Sequence, residues 1–214
     1  MSVLAVASSF SLSRGLCGED NSGLSDDGLF GSSKASPVKG QFKLNSRKEI
    51  YRGRIVNLTV DAITTANGID TIREVFHHPG GAAVVPVLSN GDVLLVKQFR
   101  YPMQESLLEL PAGKIDPGEG PEVTASRELA EEVGYTAGVL EKLAEFYTTP
   151  GFCDEKLFLY LARDLKPCSK SQDDDEDIEI VRYSLGQLQE LIQRGKIVDA
   201  KTIIGIQFLL LSQH

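Results

Sequence analysis

Three glutamates and an arginine within one short stretch carry the chemistry this sequence offers. In GKIDPGEGPEVTASRELAEEVGY, Gly113 to Tyr135, Glu128 and Glu132 stand four residues apart and Glu131 lies three beyond Glu128. On a helix, Glu128 and Glu132 share one face and Glu131 sits on its flank. Like charges at that spacing repel by about a few tenths of a kcal/mol per pair. The arrangement is therefore locally unfavourable unless a cation sits among the carboxylates. Hard oxygen donors on one helical face suit Mg²⁺ or Mn²⁺, which keep several waters and take further ligands from substrate phosphates. The alternative is a solvated helix on which Arg127 and Glu131 make an ordinary surface pair. Glu119 can reach Arg127 across the preceding loop and pin loop to helix.

The elements that must position these groups follow from patterning. Pro121 to Val133 reads as a helix, with Pro tolerated in the first turn, Glu122 at the positive end of the dipole and Gly134 where a helix terminates. From Phe42 to Phe76 alternating, β-branched runs joined at Asn67-Gly68 predict a hairpin or small meander with a type I′ turn. AAVVPVL and DVLLVKQF, joined at Ser89-Asn90-Gly91, read as a second hairpin whose strands are apolar on both sides and so belong to a buried sheet. LLELPAG predicts one short strand. Further strands are expected near Leu140–Tyr147, at KLFLYLARDL and at IEIVRYS, followed by helices at SLGQLQELIQRG and AKTIIGIQFLLLSQH. Strands and helices mix without a regular βαβ alternation, which gives an α/β sandwich and disfavours a Rossmann fold.

Composition removes other chemistries. Of three His, two are adjacent (His77, His78) and one is the last residue, so no pair at helical or hairpin spacing can seat zinc. A Ser-His-Asp hydrolase would have to draw its base from the same adjacent pair. Cys17, Cys153 and Cys168 are odd in number and widely spaced, which fits a reducing compartment, hence the cytoplasm, better than a disulfide scaffold. No apolar run approaches the roughly 20 residues of a membrane span. Across 214 residues the formal charge is -8, which opposes nucleic acid and leaves any phosphate substrate in need of local neutralisation. Residues 1–40 hold 10 Ser and 6 Gly without apolar periodicity and read as a disordered leader. Met1–Cys17 lacks acids, as organellar transit segments do, but has one Arg only.

The segment Gly113–Tyr135 resembles the signature of the Nudix hydrolases, G-x5-E-x7-R-E-U-x-E-E-x-G-U with U a bulky aliphatic. It matches at Gly113, Glu119, Arg127, Glu128, Leu129, Glu131, Glu132 and Gly134, and departs only at Tyr135. The resemblance implies an α/β/α sandwich with a mixed sheet that cleaves a nucleoside diphosphate linked to a moiety X. It implies two or three Mg²⁺ ions, replaceable by Mn²⁺, held by Glu128, Glu132, a nearer or water-mediated Glu131 and the carbonyl of Ala112. Gly113, Glu119, Arg127 and Gly134 would be structural.

The likeness continues outside this stretch. Pro150 lies 15 residues past Tyr135, where the ADP-ribose pyrophosphatase branch has a proline. YRG (Tyr51–Gly53), Arg73-Glu74, QFR (Gln98–Arg100), LLELPAG, DEDIEI and RGKIVDAKTIIGIQFLLL also look like that branch. For this chain the branch implies hydrolysis of ADP-ribose to AMP and ribose 5-phosphate. It also implies a domain-swapped homodimer in which residues 41–80 form a small N-terminal antiparallel β subdomain ahead of the catalytic domain at 81–214. Arg54, Arg73 and Glu74 would then reach substrate, the latter two on the partner subunit, and Arg100 would face the diphosphate or the terminal ribose. Arg54 and Arg73 read equally as surface residues with their stems packed on apolar neighbours, whereas for Arg100 the functional reading is favoured. The resemblance also implies a general base in the acidic run Asp173–Asp177, at Glu176, with Glu179 as the alternative register; on its composition alone the run reads as a solvated loop. Two rival functions stay open: a different substrate such as an ADP-sugar or NADH, and a nucleotide sensor without turnover.

Overall fold

The computed structural model describes residues 42–169 and 178–212. The expected leader and Glu176, with the rest of Asp173–Asp177, lie outside the described residues. In chain order the elements are β1 (Phe42–Arg52), β2 (Asn57–Thr65), β3 (Asp70–His77), β4 (Gly81–Pro86), β5 (Val93–Arg100), β6 (Glu105–Glu109) and β7 (Ala112–Lys114). Then come α1 (Pro121–Val133), β8 (Tyr135–Tyr147), β9 (Lys156–Pro167), β10 (Ile178–Tyr183), α2 (Leu185–Gln193) and α3 (Ala200–Leu211). Among the described residues the strands form three sheets, ordered β1-β2-β3, β10-β5-β6 and β7-β4-β9-β8. The pairing of β4 with β9 is parallel and the others are antiparallel, so the sheet is mixed.

The two-sided apolar strands sit between helices. Along β4, Ala82 and Val84 pack with Ala125, Leu129 and Val133 of α1, while Ala83 and Val85 pack with Leu188 of α2 and Ile206 and Leu209 of α3. On β5 the same alternation sends Leu94 and Val96 toward α1 and Val93 and Leu95 toward α2 and α3. Because successive strand residues face opposite ways, a continuous apolar run needs a layer on each face. The result is an α/β/α sandwich whose buried aliphatic side chains contribute about 1.5–3 kcal/mol each.

Three local expectations need correction. Both hairpins fall where Asn-Gly stands, but the first turn is not the expected type I′, and the second shares its form: Gly68 (φ 76°) and Gly91 (φ 86°) take positive φ while the asparagines before them do not. The Gly68 amide donates to the Thr65 carbonyl (2.9 Å) and the Gly91 amide to that of Leu88 (2.9 Å), so each is a type I turn closed by a left-handed glycine. LLELPAG is two strands: β6 pairs with β5 and β7 with β4. The break falls at Pro111, which has no N–H for a ladder but whose carbonyl accepts from Val84 (2.9 Å), and there the chain crosses between sheets. The strand expected from Leu140 starts at Tyr135, directly after α1, and runs along β9 with one register shift between Lys142 and Ala144.

Candidate active site

Helix α1 places the glutamates. Its buried face comprises Thr124, Ala125, Glu128, Leu129, Glu132 and Val133, so the stripe that packs on the sheet also turns two carboxylates inward. Glu128 is 8% and Glu132 4% exposed. Gly134, with φ 72°, closes the helix by donating to the Ala130 carbonyl (3.0 Å) and turns the chain into β8.

Strand β7 lies against these carboxylates. The Ala112 amide donates to Glu132 Oε2 at 2.9 Å. A Cβ on Gly113 would occupy the place of the Glu128 carboxylate, so glycine is the residue type that leaves room for it. This is a requirement of space, since residue 113 lies outside the left-handed backbone region.

Arg127 is the cation among the like charges. Its Nη1 donates to Glu128 Oε1 (2.7 Å) and to Glu131 Oε2 (2.8 Å), and its Nε and Nη2 donate to the two oxygens of Glu119 (both 3.2 Å). Nη2 also reaches the Lys114 carbonyl at 3.4 Å, tying helix, loop and strand together. The Glu119 bonds, offset by burial, raise the guanidinium pKa, and those bonds with one from Thr124 hold Glu119 below the usual carboxylate range. The brace expected between Glu119 and Arg127 is present and extends to two of the three glutamates.

Among the described residues no group of three or more His, Cys, Asp or Glu side chains converges in metal-holding geometry. The donors nevertheless fit a hard divalent cation in kind: two buried carboxylates seated against strand β7, and a glycine cradle that any Cβ would fill. For an ion to be shared between Glu128 and Glu131, these side chains must turn away from Arg127.

Next to the glutamates lies a cavity of about 390 Å³ lined by His78, Gly81, Arg100, Ala112, Gly113, Lys114, Thr148, Glu155, Leu157, Asp199, Ala200 and Lys201. Arg100 donates through Nε and Nη2 to Glu109 at 2.6 and 2.8 Å, and Lys201 donates to the same Glu109 and to Asp199 (3.0 Å). Glu109 is 2% exposed. Burial pushes its carboxyl up, but Arg100 and Lys201 outweigh burial and hold it below the usual range. On another stretch of the wall Glu155 accepts from Thr148 Oγ1 (2.6 Å) and lies 3.4 Å from His78 Nδ1. That wall is fixed to the N-terminal sheet: Phe76 exchanges backbone bonds with Phe152 (2.8 Å) and Asp154 (3.1 Å), and His77 bridges Asp154 (2.6 Å) and Thr59 (3.0 Å).

The structure thus brings Arg100, Ala112 and Gly113 to one cavity beside Glu128 and Glu132. Arg54, in the connection between β1 and β2, and Arg73 and Glu74 on β3 are exposed and do not line the cavity of their own chain. Glu179 pairs with Lys97 across the β10–β5 ladder at 3.1 Å and is 64% exposed. Its neighbour Ile178 packs toward α1, so Glu179 projects from the other face of the sheet. Glu109, His78, Glu155, Asp199 and Lys201 were missed as individual site residues in the sequence. The available signals were an acid inside the apolar run LLELP and an Asp preceding the final helix, where it caps Thr202 (3.0 Å).

The chain is similar to known proteins in both sequence and fold. The NUDIX domain pattern matches residues 77–203. An ADP-ribose pyrophosphatase of Bacillus subtilis (strain 168) is 40% identical over 173 residues, covering 80% of this chain and 94% of its own. A methanol dehydrogenase activator of Bacillus methanolicus is 39% identical over 168 residues, covering 78% and 91%. A solved structure described as an ADP compounds hydrolase superposes with a TM-score of 0.72 at 23% identity, over 81% of this chain and 95% of that one. With its signature, its fold and its relatives in agreement, the chain belongs to the Nudix family.

Proposed function

We propose that the chain hydrolyses the diphosphate of ADP-ribose to AMP and ribose 5-phosphate. The observation that carries this is the seating of Glu128 and Glu132 against Ala112 and Gly113, the strand that also lines the cavity holding Arg100. The 40% identity to an ADP-ribose pyrophosphatase over most of both chains supports the choice of substrate. Glu128, Glu132, Glu131 and the Ala112 carbonyl hold Mg²⁺, in two or three ions and with Mn²⁺ able to substitute. When bound, these ions offset the diphosphate charge and acidify water.

The chain's own groups do the rest. Arg100, already oriented by Glu109, presents a guanidinium to a phosphate oxygen or the terminal ribose. Arg127 stays braced on Glu119 and holds Glu128 and Glu131 until an ion takes its place, without touching substrate. Glu176 takes the proton of the attacking water. Arg54, Arg73 and Glu74, exposed on the N-terminal sheet, serve the substrate site within a homodimer, Arg73 and Glu74 that of the partner subunit.

The test is turnover of ADP-ribose, ADP-glucose, NADH and a dinucleoside polyphosphate with and without Mg²⁺, alongside Glu132→Gln. ADP-ribose should be the best substrate, only with Mg²⁺, and Glu132→Gln should lose both turnover and the thermal stabilisation by Mg²⁺. Near-normal turnover of Glu132→Gln would overturn the metal assignment, and preference for another compound would reassign X.

A further inference from the structure

We infer that Lys201, in the first turn of α3, is a specificity-determining cation that grips, together with Arg100, the phosphoryl group of the diphosphate not held at the α1 glutamates. The inference rests on the diphosphate hydrolase reading above and extends it to a residue outside the Nudix signature.

Both cations are anchored on one buried carboxylate. Arg100 donates Nε to Glu109 Oε1 (2.6 Å) and Nη2 to Oε2 (2.8 Å), and Lys201 donates to that same Oε2. A shared oxygen sets the two groups side by side, as donors to neighbouring oxygens of one phosphate must be. An ammonium has three hydrogens. Glu109 and Asp199 take two of them, and Asp199 is itself committed to capping α3 through Thr202 N (3.0 Å) and Oγ1 (2.6 Å). The third is left for the cavity, which Lys201 lines with Arg100, Ala112 and Gly113.

Stability alone gives little reason for such a cluster, because a buried ion pair is often no better than a well-packed apolar substitute. Here it immobilises two long side chains before any ligand arrives, which lowers the ordering cost of binding. The cavity that Arg100 and Lys201 line also takes in Ala112 and Gly113, against which Glu132 and Glu128 are seated, so adjacent phosphoryl groups can occupy the two positions at once.

The experiment compares wild type with Lys201→Met, Lys201→Gln and Lys201→Arg. It measures KM and kcat for ADP-ribose, the Kd of inorganic pyrophosphate and of ribose 5-phosphate by calorimetry, and the melting temperature. Lys201→Met and Lys201→Gln should raise KM and both Kd values by about 10- to 100-fold, the scale of a lost hydrogen bond to a charged group, with the loss falling mainly on KM. Lys201→Arg should restore most of it. Lys201→Gln still donates a hydrogen bond toward Glu109, so a purely structural lysine would be rescued by Gln as well as by Arg, and that result would overturn the proposal. So would wild-type KM and Kd values in Lys201→Met, or a wild type that binds neither probe. A wild type that binds pyrophosphate through Lys201 but turns over none of the nucleotides would sustain the clamp and refute the hydrolase reading.

Discussion

Replacing Gly113 by alanine isolates the contact on which the α1 glutamates depend. A Cβ at this position overlaps the carboxylate of Glu128, and even the more distant oxygen, Oε2, would be only 2.7 Å away. The backbone at 113 accepts an L residue, so the penalty comes from one side chain that must leave its seat. Glu128 is 8% exposed, and in leaving it gives up its 2.7 Å bond from Arg127 Nη1. Arg127 keeps Glu119 and Glu131, which limits the loss. Inserting a methyl into packed structure costs about 1–3 kcal/mol, and because the atoms displaced are the far end of a flexible side chain the low end, about 1 kcal/mol, is the destabilisation expected in urea unfolding. The catalytic cost should be larger, because a ligand displaced by about 1 Å loses of order 10² in rate. Stability is then remeasured in a Glu128→Ala background, where the added methyl has nothing to displace. The Gly113→Ala penalty should vanish there, leaving a coupling of at least about 1 kcal/mol. Equal penalties in both backgrounds, or near-normal turnover of Gly113→Ala, would refute the reasoning.

Glu109→Gln leaves the partly exposed Arg100 and the more deeply seated Lys201 without their shared anion and should destabilise by about 3 kcal/mol at neutral pH. This is the low end of the scale for a broken buried pair, because Arg100 reaches solvent and Lys201 keeps Asp199. Because the folded-state pKa lies below the ordinary 4.5, the contribution is complete above that value and lost as pH falls through the folded one. The stability gap between wild type and variant should therefore narrow in acid, and a gap that is flat with pH would contradict it. For the base, Glu176→Gln should lower kcat by about 10²–10⁴ with little effect on KM, while Glu179→Gln leaves turnover intact. The reverse pattern would move the base to Glu179.

What the sequence made legible is what local rules govern. Helix α1 runs from Pro121 to Val133 as patterned, because its start, its stop and its apolar stripe are all encoded within the segment itself. The hairpin positions were legible for the same reason. Their turn type was not, since one left-handed glycine satisfies either geometry and the asparagine does not decide between them. The division of LLELPAG depends on which strand each half meets, β5 or β4, and composition says nothing of partners. Glu109 and Lys201 are 92 residues apart, so their meeting is a product of the sandwich. The acid among leucines was a signal left unused, because a buried charge demands a partner; even so, the sequence could not say where that partner would come from.

The bulk charge of -8 is a poor guide to phosphate affinity, and its distribution explains why. Gly113–Tyr135 holds six acids and two bases, and Asp173–Glu179 holds six acids and no base, so the remainder of the chain is net positive by two. The acidity therefore belongs to the two segments assigned to metal binding and proton transfer. Outside them the chain places Arg100 and Lys201 on the cavity wall and gives the pair a single buried carboxylate as anchor. A divalent cation entering among the α1 glutamates reverses the sign there. With the glutamates neutralised, the second phosphoryl group meets Arg100 and Lys201 in the same cavity, and the carboxylates nearest these cations, Glu109 and Asp199, are already engaged in holding them. Substrate charge is then balanced group by group inside the cavity, and the long-range field set by net charge, screened within about 8–10 Å in ordinary salt, decides little.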